Sequence, residues 1–170
     1  MTAKERLQSM APVLPEEPRV LILGSMPSEL SLKHQQYYGN PRNHFWPLML
    51  QLFDKPETTV YESRIQLLKE HHIALWDSIA SCYRKGSLDG NITEVEPNDI
   101  VRLLKTYPTI NVIACNGTKS FQVFQKHFGS YREVATRDVL RLPSTSPIPG
   151  RYTKTFPEKV EVWRLILRYL

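Results

Sequence analysis

Val20-Leu21-Ile22-Leu23-Gly24-Ser25-Met26-Pro27-Ser28 is the stretch whose reading decides the fold. A short apolar run bounded by turn formers reads as a strand buried on both faces, here Arg19 to Leu23. Gly24 ends the run, where the lack of a side chain lets another group come close. Pro27 and Ser28 mark a turn. In an open α/β sheet, ligands sit beyond the carboxyl ends of the strands. The residues after Leu23 are therefore the first place to look for a site.

Working outward, Ser28 is a plausible cap for a helical turn over Glu29 to Gln36. A polar, aromatic loop follows: Tyr37-Tyr38-Gly39-Asn40-Pro41-Arg42-Asn43-His44-Phe45-Trp46. Apolar positions then fall at Phe45, Leu48, Met49, Leu52 and Phe53, which is helical spacing. Pro47 fits only a first turn, so this helix begins close to Asn43–Trp46. Asn43 then lies at a helix N-terminus, in a field that favours negative charge. On the other side, residues 1 to 18 read as an irregular lead-in, with a short helix expected over Lys4 to Met10.

Further along, Tyr61 to His71 reads as a helix and Ile73 to Trp76 as a buried strand with Asp77 at its carboxyl end. Residues 83 to 98 are polar and carry Gly86 and Gly90, so a surface loop is expected there. Asp99 to Tyr107 reads as a helix stopped by Pro108. Ile110 to Cys115 is another buried strand, ending in Asn116-Gly117, and Thr118 is expected to cap a helix to Phe128. Val139 to Leu142 is a last strand, running into the turn-rich Pro143-Ser144-Thr145-Ser146-Pro147-Ile148-Pro149-Gly150. Phe156 to Leu170 reads as one final helix. Helical and strand patterns alternate, which favours an α/β fold. Four strands thus end in polar or glycine-bearing sequence, and in a parallel sheet all four ends share one edge.

The 170 residues suit a single domain, 1–170, with a sizeable core. A net charge of +5 suits a polyanion such as nucleic acid without requiring one. Cys82 and Cys115, without metal-ligand spacing, read as buried thiols of a reducing compartment. No apolar run approaches membrane-spanning length, and residues 1 to 19 lack the apolar core of a signal peptide. The expected location is cytoplasmic, nucleoid-associated. No serine elbow, phosphate-binding glycine loop or metal cluster stands out. The conspicuous polar side chains are amides, hydroxyls and aromatics. Amides both donate and accept, which suits reading a base edge or holding a water. A tyrosine face can stack a base, worth roughly 1–3 kcal/mol in single-strand binders.

Gly24-Ser25-Met26-Pro27-Ser28, Tyr38-Gly39-Asn40-Pro41-Arg42-Asn43-His44-Phe45-Trp46, Asn116-Gly117 and Leu142-Pro143-Ser144-Thr145-Ser146-Pro147 together resemble the uracil-DNA glycosylase superfamily. Within it the chain is most similar to the hypoxanthine (deoxyinosine) DNA glycosylases. The resemblance implies a three-layer αβα sandwich around a short, mainly parallel sheet of about four strands. It implies hydrolysis of the N-glycosidic bond of a flipped, deaminated base in DNA, with no cofactor and no metal. A monomer suffices for base excision, so a monomer with no obligate protein partner is expected. It places catalysis on Asn43, with Asn40 as second choice, and base binding on Tyr38, Asn116, Gly24, Ser25 and Met26. Ser28, Arg42, Ser144, Thr145, Ser146, Ile148 and Arg151 are the expected DNA contacts. In that set the hydroxyls and Arg side chains meet phosphates, and Ile148 fills the space a flipped base leaves. Lys154 is a further phosphate candidate.

Two departures stand out. Many members have Asp or Asn where this chain has Ser25, and several have His where it has Leu142. These departures keep hypoxanthine, uracil and xanthine all open as the preferred base. They also keep open a catalytically silent DNA-damage binder on the same fold. A nucleoside- or nucleotide-binding α/β domain is the third reading. Asp77 is set aside as a capping or salt-bridged residue.

Overall fold

The computed structural model describes residues 5–148 and 153–170. Its centre is a four-stranded parallel sheet built from β2 (Val20–Gly24), β3 (Ile73–Asp77), β6 (Val112–Asn116) and β7 (Asp138–Leu142), in the order β3-β2-β6-β7. The register sets Gly24 beside Asp77 and Asn116 beside Leu142, so all four carboxyl ends lie on one edge. Successive side chains on a strand point to opposite faces. Accordingly Val20, Ile22, Ile73, Leu75, Val112 and Ala114 enter one core, while Leu21, Leu23, Ala74, Ile113 and Cys115 enter the other. The first core is closed by α2 (Phe45–Leu52), α3 (Tyr61–Glu70) and α7 (Phe156–Trp163). The second is closed by α4 (Ile100–Thr106), α5 (Thr118–Phe128) and the short α6 (Arg132–Ala135). This is the three-layer αβα arrangement expected from the resemblance.

Several element boundaries follow local chemistry. Ser28 caps α1 (Glu29–His34), its hydroxyl accepting from the Ser31 N–H at 3.1 Å. Asp99 caps α4 in the same way, accepting from the Arg102 N–H at 3.0 Å. Thr155 and Glu158 form a reciprocal capping box at the start of α7. Trp163 is fully buried, and its indole N–H donates to the Pro143 carbonyl at 2.9 Å. Truncating so large a buried ring costs about 3–5 kcal/mol, and here it would also release the loop after β7.

Four expectations are corrected. Residues 83–98 are not only a loop. β4 (Ile79–Tyr83) and β5 (Thr93–Pro97) pair antiparallel, with a 3-10 turn at Asp89–Asn91 between them. The expected helix over Lys4 to Met10 is instead β1 (Leu7–Gln8), the third strand of this sheet; Lys4 lies outside the described residues. Leu7 and Met10 imitate helical spacing, but the edge of β4 supplies hydrogen bonds that a helix there would leave unmade. Gly117, not Thr118, holds the cap position of α5: its φ is +94° and Thr118 is already helical. Finally, α7 ends at Trp163 and continues as a 3-10 turn from Arg164 to Tyr169. Side chains three apart line up in a 3-10 turn, and this brings Trp163 and Ile166 into the core together. Cys82 and Cys115 are free and buried, as the sequence suggested.

Candidate active site

The shared sheet edge opens into a cavity of about 400 Å³. That size accommodates a small heteroaromatic ligand. Gly24, Ser25 and Met26 form one wall, the Tyr37-to-Asn43 loop a second, and Ser144 to Ser146 with Ile148 a third. Asp77 and Asn116, from the strand ends, complete it from within.

The second wall is held by packing and short-range hydrogen bonds. Tyr37 turns inward, 5 % exposed, and its hydroxyl donates to the Ala11 carbonyl at 2.9 Å. Tyr38 takes a left-handed backbone, φ +53°, and its ring lies tilted at 46° to that of Tyr37 with centroids 6.4 Å apart. Its ring stacks on Phe45 with centroids 4.0 Å apart, so one face is covered. The Ser31 hydroxyl accepts from the Gly39 N–H at 2.9 Å and anchors the loop to α1. Asn40 Oδ1 accepts from the Arg42 N–H at 3.0 Å. Asn43 Oδ1 accepts from the Phe45 N–H at 2.9 Å, at the first turn of α2. His44 holds the cap position without a side-chain bond, so Asn43 stands one residue ahead of it and ties the loop to the first helical N–H, and its Nδ2 amide is the group left for a ligand.

Asn116 ties two walls together. Its Nδ2 donates to the Tyr38 hydroxyl at 3.1 Å and to Thr145 Oγ1 at 3.0 Å, and its Oδ1 accepts from the Thr145 N–H at 3.0 Å. Both amide protons are thus spent inside the protein. Thr145 is 1 % exposed, so it sits behind its loop rather than on the outside. Ser144 and Ser146 instead use their hydroxyls to accept from backbone N–H groups two residues on, at 3.1 and 3.3 Å. The Thr145 carbonyl accepts from the His44 N–H at 2.9 Å. Lys159, on α7, is 2 % exposed and reaches His44 Nδ1 at 3.1 Å and the Ser146 carbonyl at 3.4 Å. Burial lowers the pKa of both Lys159 and His44, so His44 is neutral and can accept from the ammonium group.

Two carboxyl groups complete the site. Asp77 is 4 % exposed, and among the described residues its Oδ2 is the buried side-chain oxygen without a hydrogen-bond partner. It is neither a cap nor in an ion pair among them, contrary to expectation. A Cβ on Gly24 would stand 2.5 Å from Asp77 Oδ1 and 3.3 Å from the Tyr38 hydroxyl, so the bare glycine makes room for the carboxyl. Burial pushes the Asp77 pKa up to about 7, with nearby Arg84 pulling it down and Asp89 adding to the rise. Arg84 spends its guanidinium on backbone carbonyls of Gly86 at 2.8 Å and Pro27 at 2.7 Å. Asp89, exposed on the 3-10 turn, accepts from the Ser25 hydroxyl at 2.8 Å. A carboxylate thus stands against the residue that lacks one.

Most of the residues expected from the sequence come together at this cavity. Ser28 lines it, although its hydroxyl is engaged as the α1 cap. Ile148 lines it and is 46 % exposed at its rim. Arg42 and Lys154 are exposed and do not line it. Arg151 lies outside the described residues. The sequence offers Asp77 only as a capping or salt-bridged residue and carries no signal for Asp89 or Lys159. Nothing in a polar stretch marks Asp89, and a lysine at a helical surface position reads as solvated.

Comparison with known proteins points one way. The family model described as "Uracil DNA glycosylase superfamily" matches residues 11–167. A protein named hypoxanthine DNA glycosylase from Methanosarcina acetivorans is 34 % identical over 160 residues, covering 92 % of this chain and 95 % of the relative. One of the same name from Methanosarcina barkeri is 35 % identical over 114 residues, 66 % of this chain and 72 % of that one. The solution NMR structure of a candidate uracil DNA glycosylase from Methanosarcina acetivorans superposes with a TM-score of 0.76 at 32 % identity. It covers 96 % of this chain and 99 % of that one.

Proposed function

The chain belongs to the uracil-DNA glycosylase superfamily and is a DNA glycosylase acting on deaminated bases, and from that premise we propose that it excises hypoxanthine from DNA as a monomer. The observation that carries the reading is the meeting of Tyr38, Asn43 and Asn116 in one cavity, with the exposed Ile148 at its rim. A base must leave the duplex to reach such a pocket. Ile148 fills the gap left in the stack. The uncovered face of Tyr38 receives the flipped base, with Phe45 stiffening the platform from behind. Asn116 keeps the Tyr38 ring and the Ser144–Ser146 loop in register. Arg42 and the outer hydroxyls of that loop meet phosphates, which carry most of the affinity for DNA.

Bond cleavage leaves positive charge on the sugar, as in glycoside hydrolysis. Asn43 is a poor base, so its part is orientation: the Nδ2 amide and the second lone pair of Oδ1 hold the attacking water. Asp89 faces the same cavity as a carboxylate and offsets the charge that develops on the sugar.

No helix among the described residues is long and apolar enough to cross a membrane. DNA in the cytoplasm, within the nucleoid, is the proposed substrate setting. The test is base release from duplexes carrying one hypoxanthine, uracil or xanthine, with alkali to cut abasic sites. Hypoxanthine release above uracil is the expected result. Uracil release alone would move the specificity while keeping the chemistry, and no release by folded protein would leave a silent damage binder.

A further inference from the structure

We propose that Asp77, in its neutral form, is the general acid of this site and donates its proton to an acceptor nitrogen of the departing purine. The inference rests on the hypoxanthine reading above and extends it to a residue that reading does not need.

Three features of the geometry carry it. Asp77 lines the cavity at the end of β3. It is 4 % exposed, and its Oδ2 has no partner within the protein. A buried carboxyl left unpaired is costly, so its retention beside a ligand cavity calls for a partner that arrives with the ligand. Gly24 is cut back to leave it room, since any Cβ there would meet Asp77 Oδ1.

The surroundings set its protonation state. Facing it are Tyr38 and Tyr37 from the loop before α2, Arg84 at the end of β4, and Asp89 from the 3-10 turn. β2 and β6, on its sheet edge, bring no charged residue. Arg84 is diverted to backbone carbonyls, while burial favours the neutral acid. Tyr38 is held in its neutral form by burial. Asp77 and Asp89 thus divide as an acid within and a carboxylate outside, the pattern of paired carboxyls in unlike environments.

The step balances. The Asp77 O–H bond breaks as an N–H bond forms on the purine ring. The C1′–N9 electron pair leaves with the base, which departs as neutral hypoxanthine. Water bonds to C1′, and the proton it gives up returns through solvent to the Asp77 carboxylate. An ionised Asp77 would instead repel the departing anion, so the reaction slows when the group ionises.

The experiment is single-turnover hypoxanthine release between pH 5.5 and 9 for the wild type and Asp77→Asn. This substitution keeps the size and hydrogen-bonding of the side chain but has no acidic proton to transfer. The wild type is expected to slow about tenfold per pH unit above neutrality. The variant is expected to run at least about 100-fold slower near pH 6, within the range of general acids, with the alkaline fall gone and binding to an abasic duplex unchanged. A variant matching the wild type in rate and pH profile overturns the proposal. Should the variant not fold, a wild-type rate flat from pH 6 to 9 overturns it alone. A wild type that releases no hypoxanthine takes the substrate reading down as well, and the two failures are thereby told apart.

Discussion

Asn43 joins a hydrogen bond from the first N–H of α2 to the chemistry proposed for it, and substitution can separate them. Alanine removes the acceptor that holds the Phe45 N–H and is expected to cost about 1 kcal/mol of stability, the net worth of one hydrogen bond. Aspartate keeps that acceptor and adds negative charge at a helix N-terminus, a favourable change of about 0.3–1 kcal/mol. If the Nδ2 amide orients the water, both variants lose at least about 100-fold in base release, the usual scale for one positioned donor. Urea melts alongside single-turnover assays read the two effects separately. An Asn43→Asp protein as active as the wild type would return Asn43 to that structural bond alone. Asn43 was legible in sequence because Pro47 fixes where the helix can begin. Asp77 was legible as a position but not as an environment. Its burial arises because β3 passes straight into β4 through Ser78, whose N–H donates to the Gly24 carbonyl at 2.7 Å, and no local pattern announces that turn.

The loop after β7 depends on an element far away in sequence. Lys159, on α7, holds the Ser146 carbonyl and His44 from beneath, while Trp163, one turn on, holds Pro143. A buried ammonium is a weak source of stability, and an apolar side chain of similar size often does as well or better. Lys159→Met is therefore expected to melt at the same temperature or higher, yet to bind an abasic duplex several-fold more weakly because the loop is no longer fixed. Thermal melts and fluorescence anisotropy check the pair of outcomes; unchanged DNA affinity would detach Lys159 from the site. The parallel strands were readable because each is an apolar run ending in a turn. The β4–β5 hairpin was not, because β5 is largely exposed and presents Thr-Glu-Val-Glu to an edge. Short edge strands of that composition carry charges on purpose, which blunts edge-to-edge pairing and also erases the sequence signal. Asp89 was hidden with them.

At the scale of the whole molecule, the buried Asp77 makes stability depend on pH in the direction opposite to most carboxylates. Its pKa is 3.8 in an unfolded chain and about 7 here. Between those values the folded state holds a proton that the unfolded state has lost. Stability falls with rising pH wherever the folded state binds more protons, so this group's effect is absent below pH 4, grows through pH 4 to 7, and is full above 7. Glu158 runs the other way: its pKa is lowered by its bonds to Thr155, so its contribution is lost as pH falls. Comparing Asp77→Asn with the wild type cancels Glu158 and every other shared group. The difference in unfolding free energy should be small at pH 4.5 and should shift in favour of the variant as the pH rises to 7.5, with a maximum slope of about 1.4 kcal/mol per pH unit. Urea titrations at three pH values measure it. A difference that stays level across the range would mean that Asp77 titrates like a solvated carboxylate. The cavity would then hold two anions at neutral pH, Asp77 and Asp89, and an arriving base would meet no acid. A difference that grows would locate the cost of the site: the fold tolerates an unpaired carboxyl at the end of β3 because the same burial keeps a proton available for the base that leaves.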